Sequence, residues 1–227
     1  MFKNEPPTTK GEQTRTAIFL TALELFRDRG FDNTTMQDIA EAAGVAKSAA
    51  YYYFPSKEAI VSAYYDAIQT EQERLCGEVF AHTRDLRRRL ESALMTKFDL
   101  AQNDRKLLGI IFRYAGEPAH PLSCLGDATA EVRQRAMRSF SEALSVQRLP
   151  ADLEQLLPLA LWALQMGLLV LFLYDSTKGQ QRTRRLASGA LGLTVKLLTL
   201  ARLPILKPVR TRLLALLRDA DLLPQLN

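Results

Sequence analysis

Thr34-Thr35-Met36-Gln37-Asp38-Ile39-Ala40-Glu41-Ala42-Ala43-Gly44-Val45-Ala46-Lys47-Ser48-Ala49-Ala50-Tyr51-Tyr52-Tyr53-Phe54-Pro55-Ser56-Lys57 reads as two short helices broken by one glycine. Both threonines stand three residues before a side chain suited to a capping box, Gln37 or Asp38, so a helix is expected to start at the pair. Met36, Ile39, Ala40 and Ala43 give it an apolar face. Gly44 supplies at little cost the positive φ that a tight turn between helices needs, and Val45 is expected to plug the core beneath it. A second helix is expected over Ala46–Phe54, ended by Pro55-Ser56, and Ser56 is placed to cap the next one.

That pattern is a helix-turn-helix, whose second helix lies in the DNA major groove. Ala46, Lys47, Ser48, Ala49, Tyr51 and Tyr52 fall on its outward face, and Ala50, Tyr53 and Phe54 on its inward one. Lys47 is the candidate for guanine O6 and N7, while Ala46 and Ala49 can offer only apolar contact, for instance to a thymine methyl. Tyr51 and Tyr52 can give hydroxyls to phosphates while their rings pack on sugars. Thr35 and Lys57 each begin a helix, where backbone N–H groups and the helix dipole favour a phosphate, and Lys57 adds a charge.

Before this stretch, Ile18, Ala22, Leu25 and Phe26 mark a helix over about Thr14–Arg29 that Gly30 stops. Residues 1–12, with Pro6-Pro7, read as a flexible arm. The expected organisation is therefore an arm over 1–12, a helix-turn-helix domain over 13–58 running into a connecting helix over 57–80, and a larger helical domain over 59–227. Downstream, helices are expected at Leu86–Gln102, Asp104–Tyr114, Ala128–Val146, Leu153–Tyr174 and Gln181–Leu203, with a last amphipathic one opened by Pro208. No hairpin dipeptide and no alternating β-branched run of useful length occurs, so the fold class is all-α.

Phe26-Arg27-Asp28-Arg29-Gly30-Phe31, the stretch from Thr34 to Lys47 and Tyr51-Tyr52-Tyr53-Phe54-Pro55-Ser56-Lys57-Glu58 together resemble the DNA-binding domain of TetR-type (tetracycline-repressor family) transcriptional regulators. The resemblance covers about residues 14–65. It implies an all-helical homodimer whose N-terminal domain binds a double-stranded operator and whose C-terminal domain binds a small-molecule inducer. It also places Thr35, Lys47, Ser48, Tyr51, Tyr52 and Lys57 at DNA-contacting positions. Ala46 stands where the family often has Ser, and Ser48-Ala49-Ala50 where Gly-Thr-Leu is frequent, so this recognition helix offers few base-edge donors.

The composition is that of an ordinary globular protein: 227 residues, 47% apolar and 24% charged, with a net charge of +5. The positive excess lies away from the reading helix. Residues 1–60 hold 7 basic and 8 acidic side chains, whereas residues 180–227 hold 9 and 2. The basic runs Arg87-Arg88-Arg89 and Arg182-Thr183-Arg184-Arg185 read as solvated faces or helix ends. The second run opens a helix, where the dipole disfavours it, so it could meet acidic groups of a partner subunit. Cys76 and Cys124 stand far apart, and His82 and His120 form no metal-ligand spacing, so neither a metal nor a cofactor is expected. No nucleophile–base or phosphate-cradle motif occurs, which speaks against an enzyme. The first residues hold no apolar signal core, so the expected location is the cytoplasm.

Leu156–Tyr174 is 19 residues long with Gln165 as its clearly polar side chain. That nearly suits a membrane span of ~20 residues, so a membrane-tethered regulator is the alternative reading. A helix apolar all round also suits the centre of a helical core, and that reading is favoured, with no membrane expected. Helices 153–174 and 181–203 would pair with their copies in a four-helix dimer interface, as the family resemblance implies. Ala163, Gly167, Ser188, Gly189, Ala190 and Gly192 would permit close approach. For a hydrophobic or aromatic inducer, Phe98, Phe112, Tyr114, Trp162 and Met166 are candidate lining residues, with Gln165 and His120 as polar probes.

Overall fold

The computed structural model describes residues 9–114, 117 and 119–222, and among these it is helical with no strand. Ten α-helices follow one another: α1 Lys10–Arg29, α2 Met36–Ala42, α3 Lys47–Tyr53, α4 Lys57–His82, α5 Leu86–Ala101, α6 Arg105–Arg113, α7 Ala130–Leu144, α8 Ala151–Tyr174, α9 Gln181–Ala201 and α10 Lys207–Asp219. The first begins four residues before the expected Thr14, inside the expected arm. Thr9 caps it: the hydroxyl accepts from Glu12 N–H and the Glu12 carboxylate accepts from Thr9 N–H, closing a capping box. Residues 1–8 of that arm lie outside the described residues.

The chain divides into two compact units, and the division is not a single cut. The first takes residues 1–71 and 100–133, the second residues 72–99 and 134–227. The first unit thus recruits α6 and the following loop, which the sequence reading assigned downstream. Its core gathers Ile18, Leu23 and Phe26 of α1, Ile39 of α2, Ala50 of α3 and Ile60 and Tyr64 of α4 around Leu107, Ile110 and Leu122. Two polar links hold α6 in place. Arg27 clasps Asp104 through both carboxylate oxygens, at 2.6 and 2.9 Å, and the Tyr64 hydroxyl donates to the same carboxylate at 3.1 Å. The Tyr65 hydroxyl donates to Leu107 O at 2.9 Å.

In the second unit, α8 buries one broad face, from Leu153 and Leu156 through Leu161, Trp162 and Gln165 to Leu168, Leu169 and Phe172. Phe172 stacks on Phe98 of α5 with ring centroids 5.1 Å apart. Arg89 is a buried junction. Its guanidinium donates to carbonyls at the end of α4, Phe80 and Thr83, and to Glu142 and Ala143 at the end of α7. These are carbonyls that a helix terminus leaves without internal partners. Asp175 closes the α8–α9 connection, accepting from the N–H and hydroxyl of both Thr177 and Thr183.

Four of the C-terminal arginines, Arg184, Arg202, Arg210 and Arg218, find side-chain partners within the chain. Arg184 pairs with Asp99 at 2.6 Å, so this member of the second basic run meets an acid of its own subunit. Arg210 pairs with Asp152, Arg202 donates to Gln147 and Arg218 to Gln155. The run's cost at a helix start is thereby offset locally for Arg184, which also donates to Gly179 O.

Candidate nucleic-acid interface

The helix-turn-helix is built by local chemistry. Thr35, rather than Thr34, caps α2, and Asp38 completes the capping box. Thr34 turns inward instead, donating its hydroxyl to Gly30 O at 2.8 Å. Gly44 has φ +67°, and Val45 N–H reaches back to Ala40 O at 3.0 Å while its side chain packs on the core. An L side chain at that φ costs about 1 kcal/mol, which glycine avoids. Ala46 stands at the N-cap of α3 without a side-chain bond, and Ser56 caps α4 by accepting from Ala59 N–H at 3.2 Å.

On α3 the outward face is Ala46, Lys47, Ser48, Tyr51 and Tyr52, all exposed, with Ala49 half-buried. Tyr52 is 82% exposed and Tyr51 45%. Ala50 and Phe54 are buried, and Tyr53 is half-buried against Tyr52, edge to face with centroids 5.1 Å apart. Arg15 of α1 lies over the Phe54 ring, which fixes that end of the helix.

Thr35 and Lys57 are placed differently from a free phosphate contact. The Thr35 hydroxyl donates to Asp38 Oδ2 at 2.7 Å, and Thr35 N–H donates to the same oxygen. Those bonds hold the Asp38 carboxyl below its ordinary range, so a negative charge already occupies the start of α2. The Lys57 ammonium donates to Phe31 O at 2.7 Å and sits 4.5 Å from the centre of the Phe31 ring. It ties α4 to the segment before α2, a long-range role that no spacing in the sequence announces.

The candidate effector residues fall in both units. Phe98, Trp162, Gln165 and Met166 belong to the second. Phe112, Tyr114 and His120 belong to the first, where Tyr114 packs against the helix-turn-helix core and stacks on the His120 ring at 3.6 Å. In the second unit, Gln165 donates to Ala93 O and Leu94 O of α5 at 3.1 and 3.3 Å. The buried Gln72 of α4, absent from the sequence reading, donates to the same Ala93 O at 2.6 Å. Lys97, also missed, has its ammonium pushed down to about 8 by burial. Among the described residues no group of three His, Cys, Asp or Glu side chains could hold a metal ion.

An all-helical chain whose capped two-helix turn presents a polar and aromatic helix face belongs to the helix-turn-helix class of DNA-binding proteins. The family comparison narrows this. Residues 18–64 match the model for bacterial regulatory proteins of the tetR family, and residues 89–211 the tetracyclin repressor-like C-terminal domain. The chain belongs to the TetR family of transcriptional regulators. It is 32% identical over 112 residues to the transcriptional activator FasR of Mycolicibacterium smegmatis, spanning 47% of this chain and half of that one. It is 25% identical over 155 residues to the regulator AcrR of Shigella flexneri, spanning 63% of this chain and 70% of that one. The Thermus thermophilus FadR structure, a TetR-family repressor in complex with lauroyl-CoA, superposes with a TM-score of 0.56 at 21% identity, over 82% of this chain and 93% of that one.

Proposed function

We propose that this protein is a homodimeric, ligand-responsive repressor that reads a palindromic operator with α3 and is released from it by a small hydrophobic or aromatic inducer. The observation that carries the DNA reading is the outward face of α3. Lys47 and Ser48 offer donors there, Tyr51 and Tyr52 offer hydroxyls, and Ala46 and Ala49 leave room for thymine methyls. Two such helices about 34–36 Å apart, or an integral multiple, read two half-sites of one site. Thr35 and Lys57 contribute mainly by holding α2 and α4 in register, with any phosphate contact secondary.

The second unit supplies the dimer interface in this reading. Small and apolar residues of α8 are exposed along one stripe, Ala160, Ala163, Gly167 and Leu171, and α9 exposes Leu186, Leu193, Leu197 and Leu200. Ser188 and Gly192 play a different part, since both seat the Arg87 guanidinium of α5. The burial of one face of α8 supports a core helix rather than a membrane tether, and with it a cytoplasmic location. At 21% identity the lauroyl-CoA-bound neighbour shares the fold alone.

Fluorescence anisotropy with a library of genomic fragments tests the reading. One fragment with inverted half-sites should be preferred over bulk DNA at physiological salt, and a thermal-shift hit should weaken that preference. Uniform binding of every fragment would remove the sequence-specific claim. Recovery of the protein only in the membrane pellet would favour the tether.

A further inference from the structure

The interior of the second unit holds two glutamines whose amide groups are half satisfied. Gln72 and Gln165 are 1% and 0% exposed. Each turns its NH2 to the same helix carbonyl, Ala93 O, at 2.6 and 3.1 Å. Among the described residues, neither carboxamide oxygen has a hydrogen-bond partner. Exchanging N and O in either amide would set oxygen against oxygen, so the network dictates which atom is left over. Because both amides converge on one carbonyl, the two orphaned acceptors belong to one locality, where α4, α5 and α8 meet. A buried acceptor without a donor is destabilising, and an apolar side chain of similar shape would avoid that cost. Two of them together are a feature that packing does not account for.

We infer that Gln72 and Gln165 form the polar anchor of the effector site, and that the effector is an apolar molecule carrying a neutral hydrogen-bond donor, such as a phenol or an alcohol. This rests on the reading of the second unit as the effector domain. The donor hydrogen meets one or both orphaned oxygens, while the apolar body lies among the surrounding helices. Trp162 stands one turn before Gln165 on α8, and Phe98 one turn after Leu94 on α5, so aromatic surface borders the anchor. A thioester group or a carboxylate brings only acceptors, and at this locality would leave both glutamine oxygens unpaired or repel them. Lys97, one turn beyond Ala93 on α5, is the group that would favour an acid instead, which makes a fatty acid the competing ligand class.

Trp162 is the chain's single tryptophan, so its fluorescence reports on this locality. The full-length protein is titrated with para-hexylphenol, with its methyl ether, which has the same body and no donor, and with laurate. The phenol is expected to bind about tenfold more tightly than the ether, the value of one neutral buried hydrogen bond. In Gln165→Leu, in Gln72→Leu, or in each of them, made separately, that ratio falls toward one, while the ether keeps its affinity. The two variants guard against one of them failing to fold. Equal binding of phenol and ether, a ratio that survives both substitutions, or tightest binding by laurate overturns the donor assignment but leaves an effector site in place. If none of the three changes Trp162 emission, the donor assignment is also overturned. The effector reading is then judged separately, by whether any thermal-shift hit weakens DNA binding.

Discussion

The two units of this protein finish their surfaces differently. Among the described residues, the first unit exposes four large apolar side chains, Leu20, Tyr51, Tyr52 and Leu125, and two of these lie on the face of α3. The second exposes twelve, all from Leu171 onward. A unit whose apolar groups are nearly all inside can read DNA as a rigid module. A unit that leaves leucines outside along α9 and α10 has more apolar surface than a lone copy covers, which is the mark of a surface that meets another. In the interiors, the buried Asp104 of the first unit is clasped by Arg27 and Tyr64, while the buried Gln72 and Gln165 amides of the second each leave an oxygen without a partner.

The widest break in this contrast comes from charging the α9 face. The double substitution Leu193→Glu with Leu197→Glu should convert the protein to a monomer in light scattering and weaken a palindromic site by about 100-fold, because the second half-site is then no longer held by linkage. An unchanged dimer would move the interface to α10. The next largest effect is expected inside the first unit. Asp104→Ala removes the carboxylate that Arg27 and the buried Tyr64 hydroxyl both bond, and should cost about 2 kcal/mol, seen as a fall of about 4–8 °C in the unfolding midpoint. The Arg27 guanidinium, whose pKa its bond to Asp104 raises, stays charged across the accessible pH range.

Two smaller tests sharpen the comparison. Lys47→Ala should lose about 1–3 kcal/mol of discrimination at one base pair with little change in stability. Lys57→Ala should mainly destabilise the first unit, by about 1 kcal/mol, through the lost Phe31 contact. A pure loss of non-specific affinity from Lys57→Ala, read as a flatter salt slope, would return that lysine to the phosphate. In the second unit, the hydrogen bonds from Thr177 and Thr183 hold the Asp175 carboxyl well below its usual range. Its folded pKa is depressed, so its contribution is complete above the unfolded carboxyl pKa of about 3.9 and is lost as pH falls below it. Asp175→Asn should therefore flatten the acid limb of the stability curve below about pH 4, measured by urea denaturation across pH, and leave the neutral region's slope unchanged.

Much of the reading domain was legible because its signals are local. The Thr35–Asp38 box, Gly44 and Ser56 each act within a few residues, so spacing is enough to find them. The outward and inward faces of α3 follow from a period of 3.6 residues in the same way. The first helix begins earlier than its apolar face suggests because Thr9 and Glu12 close the same kind of box within a stretch whose Pro6-Pro7 and Gly11 read as an arm. Aromatic character alone puts Phe112 and Tyr114 beside Trp162, but it says nothing about the unit in which a side chain packs.

What escaped the sequence depends on pairs far apart in the chain. Arg27 and Asp104 stand 77 positions apart, and Gln165 lies 72 positions from Ala93. No periodicity links such residues, since helix spacing constrains a neighbour within two turns and is silent about which helix lies opposite. Helical class, the capped turn and the reading face therefore follow from the residues in order. The joining of α6 to the DNA-reading unit, the partners of the C-terminal arginines and the meeting of Gln72 with Gln165 exist only once the helices pack. Each is a polar group whose cost of burial is repaid, or left open, by whatever the fold brings beside it.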